Sequence, residues 1–187
     1  MNMRIYKLRS DTVNYSVFIE EIPEGQNSIM QRSVQNRWKG FDDKYNPIVV
    51  SLGQSDTGKK NYQFDICSFL SPFFIFSEMA LETLGDILRP RGEVLCITTE
   101  SEKKKFYGYY PTNPLSGCFD RDNSIYKEYP NGLMIRKCVL KRSEINDDYL
   151  FCIEEDISSV YVTEKFKQRV LDAGLLGFDF SNQVEVS

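Results

Sequence analysis

The strongest constraint on the fold is a short pattern that occurs twice. Around Ser77 an aromatic and β-branched run, Phe73-Phe74-Ile75-Phe76, ends on a serine followed by Glu78. A serine oxygen can accept from the free N–H groups of a first helical turn, and a glutamate complements the turn's positive end. Apolar residues then recur at Ala80, Leu84, Ile87 and Leu88, forming one inward stripe. Pro90 and Gly92 stop the helix at about Leu88, and residues 94–97 read as the next strand. The same order returns near the C-terminus. Ser158, Val160, Tyr161 and Val162 are extended, Thr163 caps, Glu164 opens a helix, and Phe166, Val170 and Ala173 point inward. Gly174 and Gly177 end that helix, and residues 176–180 return as a strand. At one constant offset Ser77 meets Thr163, Glu78 meets Glu164, Ala80 meets Phe166, Leu84 meets Val170 and Ile87 meets Ala173. Two readings follow: two similar halves packed on a shared sheet, or a common supersecondary unit used twice.

Elsewhere, strands dominate. Alternation and β-branched or aromatic content predict strands over residues 3–8, 15–21, 47–52, 133–140 and 149–153. Strands therefore outnumber helices, which predicts an α+β fold with a mixed or antiparallel sheet and two main helices. Residues 24–46 are rich in Gln, Asn and Asp, with Trp38, Gly40 and Phe41 embedded, and read as a long, partly ordered surface connection. The chain has 187 residues, 41% of them apolar, enough for one core and too few for two. A single domain over 1–187 is expected, with 1–60 as variable N-terminal strands and polar connection and 61–187 as the main body.

Histidine is absent. That removes Ser-His-Asp and Cys-His relays, since imidazole is the usual base near neutral pH, and it removes His-containing zinc sites. The five cysteines, Cys67, Cys96, Cys118, Cys138 and Cys152, form no Cys-x-x-Cys pair. Four of them (all but Cys118) lie in strand-like apolar runs, where a reduced thiol behaves as a small hydrophobe. Neither a metal nor a cofactor is expected. Gly53-x-x-x-x-Gly58-Lys59-Lys60 follows a strand like a phosphate loop. However, Lys60 stands where that loop needs a hydroxyl, and residues 61–66 look extended, so a surface turn is expected.

Net charge is −4, and basic runs such as Lys59-Lys60 and Lys103-Lys104-Lys105 are short and scattered, which argues against a nucleic-acid partner. No apolar stretch reaches the roughly 20 residues of a membrane span. The start shows no apolar leader, and a cytoplasmic location is expected. An acidic balance suits a basic partner. Carboxylates cluster at Asp42-Asp43, Asp120/Asp122, Asp147-Asp148 and Glu154-Glu155-Asp156, and Phe106-Tyr107-Gly108-Tyr109-Tyr110 is an aromatic run. Each has a bland reading, as solvated turns or strand packing, beside a functional one, as a protein-contact face.

The stretch Tyr109-Tyr110-x-x-Asn113-x-Leu115…Asp120-x-x-x-Ser124 resembles family eleven of the immunity proteins of bacterial polymorphic-toxin systems. So do the two flanking modules around Ser77 and Thr163. The resemblance covers roughly residues 60–182 and rests on pattern and order rather than on a catalytic motif. It implies a gene beside a toxin gene and a product that binds and neutralises the toxin by occlusion, not an enzyme. Tyr110, Asn113, Asp120 and Ser124 match the family pattern and are expected to build a turn; Cys118 and Phe119 depart from it. Asp42, Asp43, Tyr107, Tyr109, Asp120, Asp122, Glu154, Glu155 and Asp156 are the expected contacts to the cognate toxin. The alternatives are an enzyme that reverses toxin damage by carboxylate or lysine chemistry, and an interaction module unrelated to toxins.

Overall fold

A computed structural model describes residues 3–187 of the chain. The main strands are β1 (Ile5–Lys7), β2 (Val17–Glu21), β3 (Ile48–Gly53), β4 (Ile66–Cys67), β5 (Phe74–Ser77), β6 (Gly92–Leu95), β7 (Phe106–Pro111), β8 (Ile125–Tyr129), β9 (Gly132–Lys137), β10 (Leu150–Ile153), β11 (Asp156–Thr163) and β12 (Gln183–Val186). The helices are α1 (Ile29–Asn36), α2 (Glu78–Thr83), α3 (Gly85–Leu88) and α4 (Glu164–Asp172). The fold is α+β. Among the described residues no helix is long and apolar enough to cross a membrane.

The two sequence patterns build a four-stranded sheet and the matching central four strands of a six-stranded one, whose edges are Pro114–Leu115 and Val139–Leu140, each paired in parallel. In one, the order is β4-β5-β7-β6 with every neighbour antiparallel. β5 and β6 therefore run parallel with β7 between them, and α2 and α3 carry the chain across. In the other, β10, β11, β1 and β12 lie side by side, again antiparallel at every step. β11 and β12 run parallel around β1, with α4 in the crossover. Each unit is thus a hairpin, a capped helix and a returning strand, with a fourth strand slotted into the gap. In the first unit that strand follows in sequence; in the second it comes from the other end of the chain. The units occupy separate sheets, not the shared one that the sequence suggested.

The caps form as their chemistry dictates. Ser77 Oγ accepts from Ala80 N at 3.1 Å, and Thr163 Oγ1 accepts from Phe166 N at 3.3 Å. Ala80, Leu84, Ile87 and Leu88 are all buried, although the first helix breaks at Leu84, ahead of Gly85. In the second unit Phe166 and Val170 are buried but Ala173 is exposed, because α4 ends at Asp172 and Leu175 takes the next core position. The expected return strand shrinks to Phe178–Asp179, and β12 fills the place that β6 holds in the first unit.

Residues 24–46 are not a loose connection. Ser28 and Gln31 form a reciprocal capping box at 3.1 and 3.0 Å, and α1 follows with Ile29 and Ser33 buried. Trp38 and Phe41 are also buried. The Trp38 ring stacks on Tyr110 at 5.7 Å, and its Nε1 donates to Ile153 O at 2.8 Å. Polar composition misleads here because the Gln, Asn and charged side chains stand outward while a few large apolar residues turn in.

Asp65, 4% exposed, bolts the two units together. Its carboxylate accepts from the Ser77 hydroxyl at 2.6 Å, from Leu176 N at 2.7 Å, and faces Lys104 Nζ at 3.2 Å. Ser77 caps the first helix and Leu176 follows the second, so one side chain fixes both. Replacing it strands a buried hydroxyl and a backbone N–H. Asp65→Ala is expected to cost about 3 kcal/mol, and Asp65→Asn less, since an amide oxygen still accepts. Urea unfolding followed by the fluorescence of Trp38, the single tryptophan, should show a lower midpoint at an unchanged slope.

Candidate functional site

β8 and β9 form a ribbon that joins no other strand among the described residues. Cross-strand pairs are Tyr126 with Ile135, Lys127 with Met134, Glu128 with Leu133 and Tyr129 with Gly132. Side chains alternate across such a ribbon. Tyr126, Leu133 and Ile135 turn toward a second, smaller core, where Tyr126 meets Phe119 edge-on at 5.4 Å. The other face is open: Ile125 is 55% exposed, Tyr129 47% and Met134 42%. Lys127 Nζ lies 5.2 Å above the Tyr129 ring. A two-stranded ribbon alone is marginal in water, so the inward trio and the root of the ribbon hold its shape.

That root is the turn that begins at Asp120. Its carboxylate accepts from Asp122 N, Asn123 N and Asn123 Nδ2 at 3.1, 3.2 and 2.8 Å, and from the Ser187 hydroxyl at 2.7 Å. The Asn123 amide first, then the Ser187 hydroxyl, hold the Asp120 carboxyl down at about 2. Ser124 Oγ accepts from Val139 N at 2.9 Å, closing the base of the ribbon. Asn113 Nδ2 donates to Leu150 O at 2.7 Å and ties the preceding segment to β10.

Beside the ribbon lies a cleft of 520 Å³, walled by Tyr129 and Leu133 on one side and by Glu154 and Glu155 of the β10–β11 turn on the other. Two arginines complete it. Arg37 Nη2 donates to Asn131 O in the ribbon's turn at 2.8 Å, and Arg121 Nη1 pairs with Glu128 at 2.8 Å. Arg121 is thus already paired, while Arg37 is held only by a backbone carbonyl, and Glu154 and Glu155 make no ion pair among the described residues.

The expected contact residues do not converge on one face. Glu154 and Glu155 line the cleft, and Asp122 stands exposed at the root of the ribbon. Asp156, half-buried, accepts from the Tyr161 hydroxyl at 2.9 Å. Asp42 and Asp43 are exposed on a single turn with Lys44. Tyr107 lies half-buried beside Glu78 and Arg89, away from the others. Two expectations fail on burial. Tyr109 is 0% exposed, with its hydroxyl donating to Leu88 O at 2.7 Å, and Asp120 is buried inside its own turn. Tyr110 is buried too: its hydroxyl donates to Ser33 O at 2.7 Å and accepts from Trp38 N at 2.8 Å, and burial pushes its pKa up to about 12.

The Gly53–Lys60 segment is a turn, with Gly58 at φ 84° and Ser55 N donating to Lys59 O at 2.9 Å; no helix follows it. All five thiols are free. Cys67, Cys118 and Cys152 are buried, Cys138 is half-buried, and Cys96 is exposed because it falls in the break after β6. The ribbon's open face escaped sequence reasoning, which placed strands at 133–140 but not at Ile125–Tyr129; the Tyr129-Pro130-Asn131-Gly132 turn was the available signal.

No protein-family model matches the chain, and no curated protein matches it.

The low pKa of Asp120 gives a pH signature. A carboxyl lowered from 3.8 to about 2 stabilises the fold fully above 3.8, and the stabilisation fades as pH falls through about 2. Urea midpoints taken between pH 7 and pH 2 should fall across that window in the native chain. Asp120→Asn should lower the midpoint at pH 7 and flatten its dependence on pH below 4.

Proposed function

We propose that this protein is an immunity protein, which neutralises a cognate bacterial toxin in the cytoplasm by binding it one to one and covering its working surface. The observation that carries this reading is the isolated β8–β9 ribbon, with Ile125, Tyr129 and Met134 exposed beside a cleft. Aromatic residues, methionine and arginine are the residue types that anchor protein interfaces. The ribbon is held in advance by Tyr126 on Phe119 and by Ser124 on Val139, so little ordering remains to be done on binding. The stretch that resembles the immunity family, from Tyr109 to Ser124, runs directly into this ribbon. Five unpaired thiols suit a reducing compartment.

The test is co-expression with the product of the adjacent gene. Growth should be restored, and the two proteins should co-purify at equal stoichiometry. Protection with no complex, or protection at levels far below one copy per toxin, would overturn occlusion in favour of an enzyme.

A further inference from the structure

Four cations of α1 and the segment after it gather at one cleft without forming an ion pair. Arg32, Arg37, Lys39 and Lys44 line a cleft of 390 Å³ with Asn36 and Phe41, and no carboxylate lines it. None of the four enters an ion pair among the described residues, a condition they share with most of the chain's 23 lysines and arginines; what sets them apart is that one cleft gathers all four. Arg32 Nε is buried without an acceptor, and its Nη1 reaches only Asn46 O, at 3.4 Å. Buried donors are normally satisfied, and one that is not marks a place where an acceptor is missing. The negative end of α1 also lies here, but one nearby cation complements a helix terminus.

The backbone that presents these cations is held in an unusual shape. Arg37, Trp38 and Asp42, at φ 47°, 64° and 50°, are the only non-glycine residues with positive φ among those described, and all lie in this segment. Such conformations persist only where the surroundings enforce them. Here Tyr110 Oη accepts from Trp38 N at 2.8 Å, and the Glu93 carboxylate accepts from Phe41 N at 3.0 Å and Asp42 N at 3.3 Å. Glu93 is thereby occupied beneath the loop, where a Cβ on Gly40 would come within 2.0 Å of Oε1. The loop is preorganised, with Lys39 and Lys44 exposed upon it. Arg37 also lines the 520 Å³ cleft beside the ribbon and so borders both clefts.

We propose that the cation-lined cleft is the docking site for an acidic polypeptide segment of the protein partner, whose carboxylates pair with Arg32, Arg37, Lys39 and Lys44. This rests on the reading of the protein as a toxin-neutralising binder and gives the partner's contact surface a charge opposite to the one that the net charge of −4 suggests. A polypeptide is favoured over a single-stranded nucleic acid because such binders add exposed aromatic platforms to their cations, and Phe41, the aromatic of this cleft, is buried.

The experiment measures association of the purified product of the adjacent gene with the native chain, with Lys39→Glu/Lys44→Glu, and with Glu100→Gln/Glu102→Gln, an exposed carboxylate pair that lines neither cleft, each at low and high salt. Both lysines are exposed, and an unchanged urea midpoint certifies the fold of each variant. The native chain should associate more slowly as salt rises. The double lysine variant should bind about tenfold or more weakly and lose most of that salt dependence, while the glutamate variant binds as the native chain does. Lys39→Gln/Lys44→Gln should give a smaller loss in the same direction. Native-like binding by both lysine variants would remove the docking site and leave the toxin-binding reading intact; no binding by the native chain would remove both. Binding of a labelled single-stranded RNA by the native chain that the double lysine variant abolishes would also overturn the proposal, in favour of nucleic acid.

Discussion

The carboxylate of Asp65 is the contact on which the arrangement of the two units depends. It is buried, and each oxygen is committed: one to the hydroxyl that caps the first helix and to Lys104, the other to the backbone just after the second helix. The backbone of Asp65 repeats the link, with its N–H donating to Leu176 O at 2.9 Å and its carbonyl accepting from Ser77 N at 3.0 Å. A buried charge is tolerable only when its lone pairs are used, and here every partner belongs to an element whose position matters. The exposed Arg169–Asp86 pair between α4 and α3 adds a surface link of far smaller worth.

Around that bolt the core is aromatic. Phe76, Phe166 and Phe178 bring the first unit, the second helix and the short return strand into one cluster, with ring separations of 6.3 Å from Phe178 to each of the other two. Phe18, Phe64 and Phe106 extend it toward β2 at 5.0 to 5.3 Å. Many of the rings that composition alone could assign either to a core or to a binding face are therefore spent on the core. Tyr109 and Tyr110 belong to this group: their hydroxyls reach Leu88 O and Ser33 O rather than solvent. Tyr129, set on a ribbon with no third strand, is left in the open.

The candidate site follows from the same economy of contacts. Ser124 on Val139 and Asp120 on Ser187 close the root of the ribbon, and Arg37 ties its turn to the end of α1. Arg37 thus borders both the cleft beside the ribbon and the cation-lined cleft, and next to it Trp38 stacks against Tyr110. The acidic groups contribute less than their number suggests. Asp120 is enclosed in its turn, Asp156 serves Tyr161, and Asp147 is paired with Arg91 at 2.8 Å.

By itself the sequence determined the local units: the Ser77 and Thr163 caps, the inward stripe of Ala80, Leu84, Ile87 and Leu88, the α+β class, and the turn at Gly53–Lys60. These depend on interactions within a few residues, which spacing alone reveals. The capping box at Ser28 and Gln31 was equally local and equally readable, but the polar composition around it masked the signal. Tertiary structure decided the rest. That β1 fills in the second unit the gap that β7 fills in the first is a pairing across the whole chain, and no spacing encodes it. Whether a tyrosine is core or surface depends on which strand covers it, and whether a lysine is paired depends on which carboxylate the fold brings near. Tyr109 and Tyr129, or Lys104 and Lys39, read alike along the chain; only long-range packing and the low dielectric it creates tell them apart.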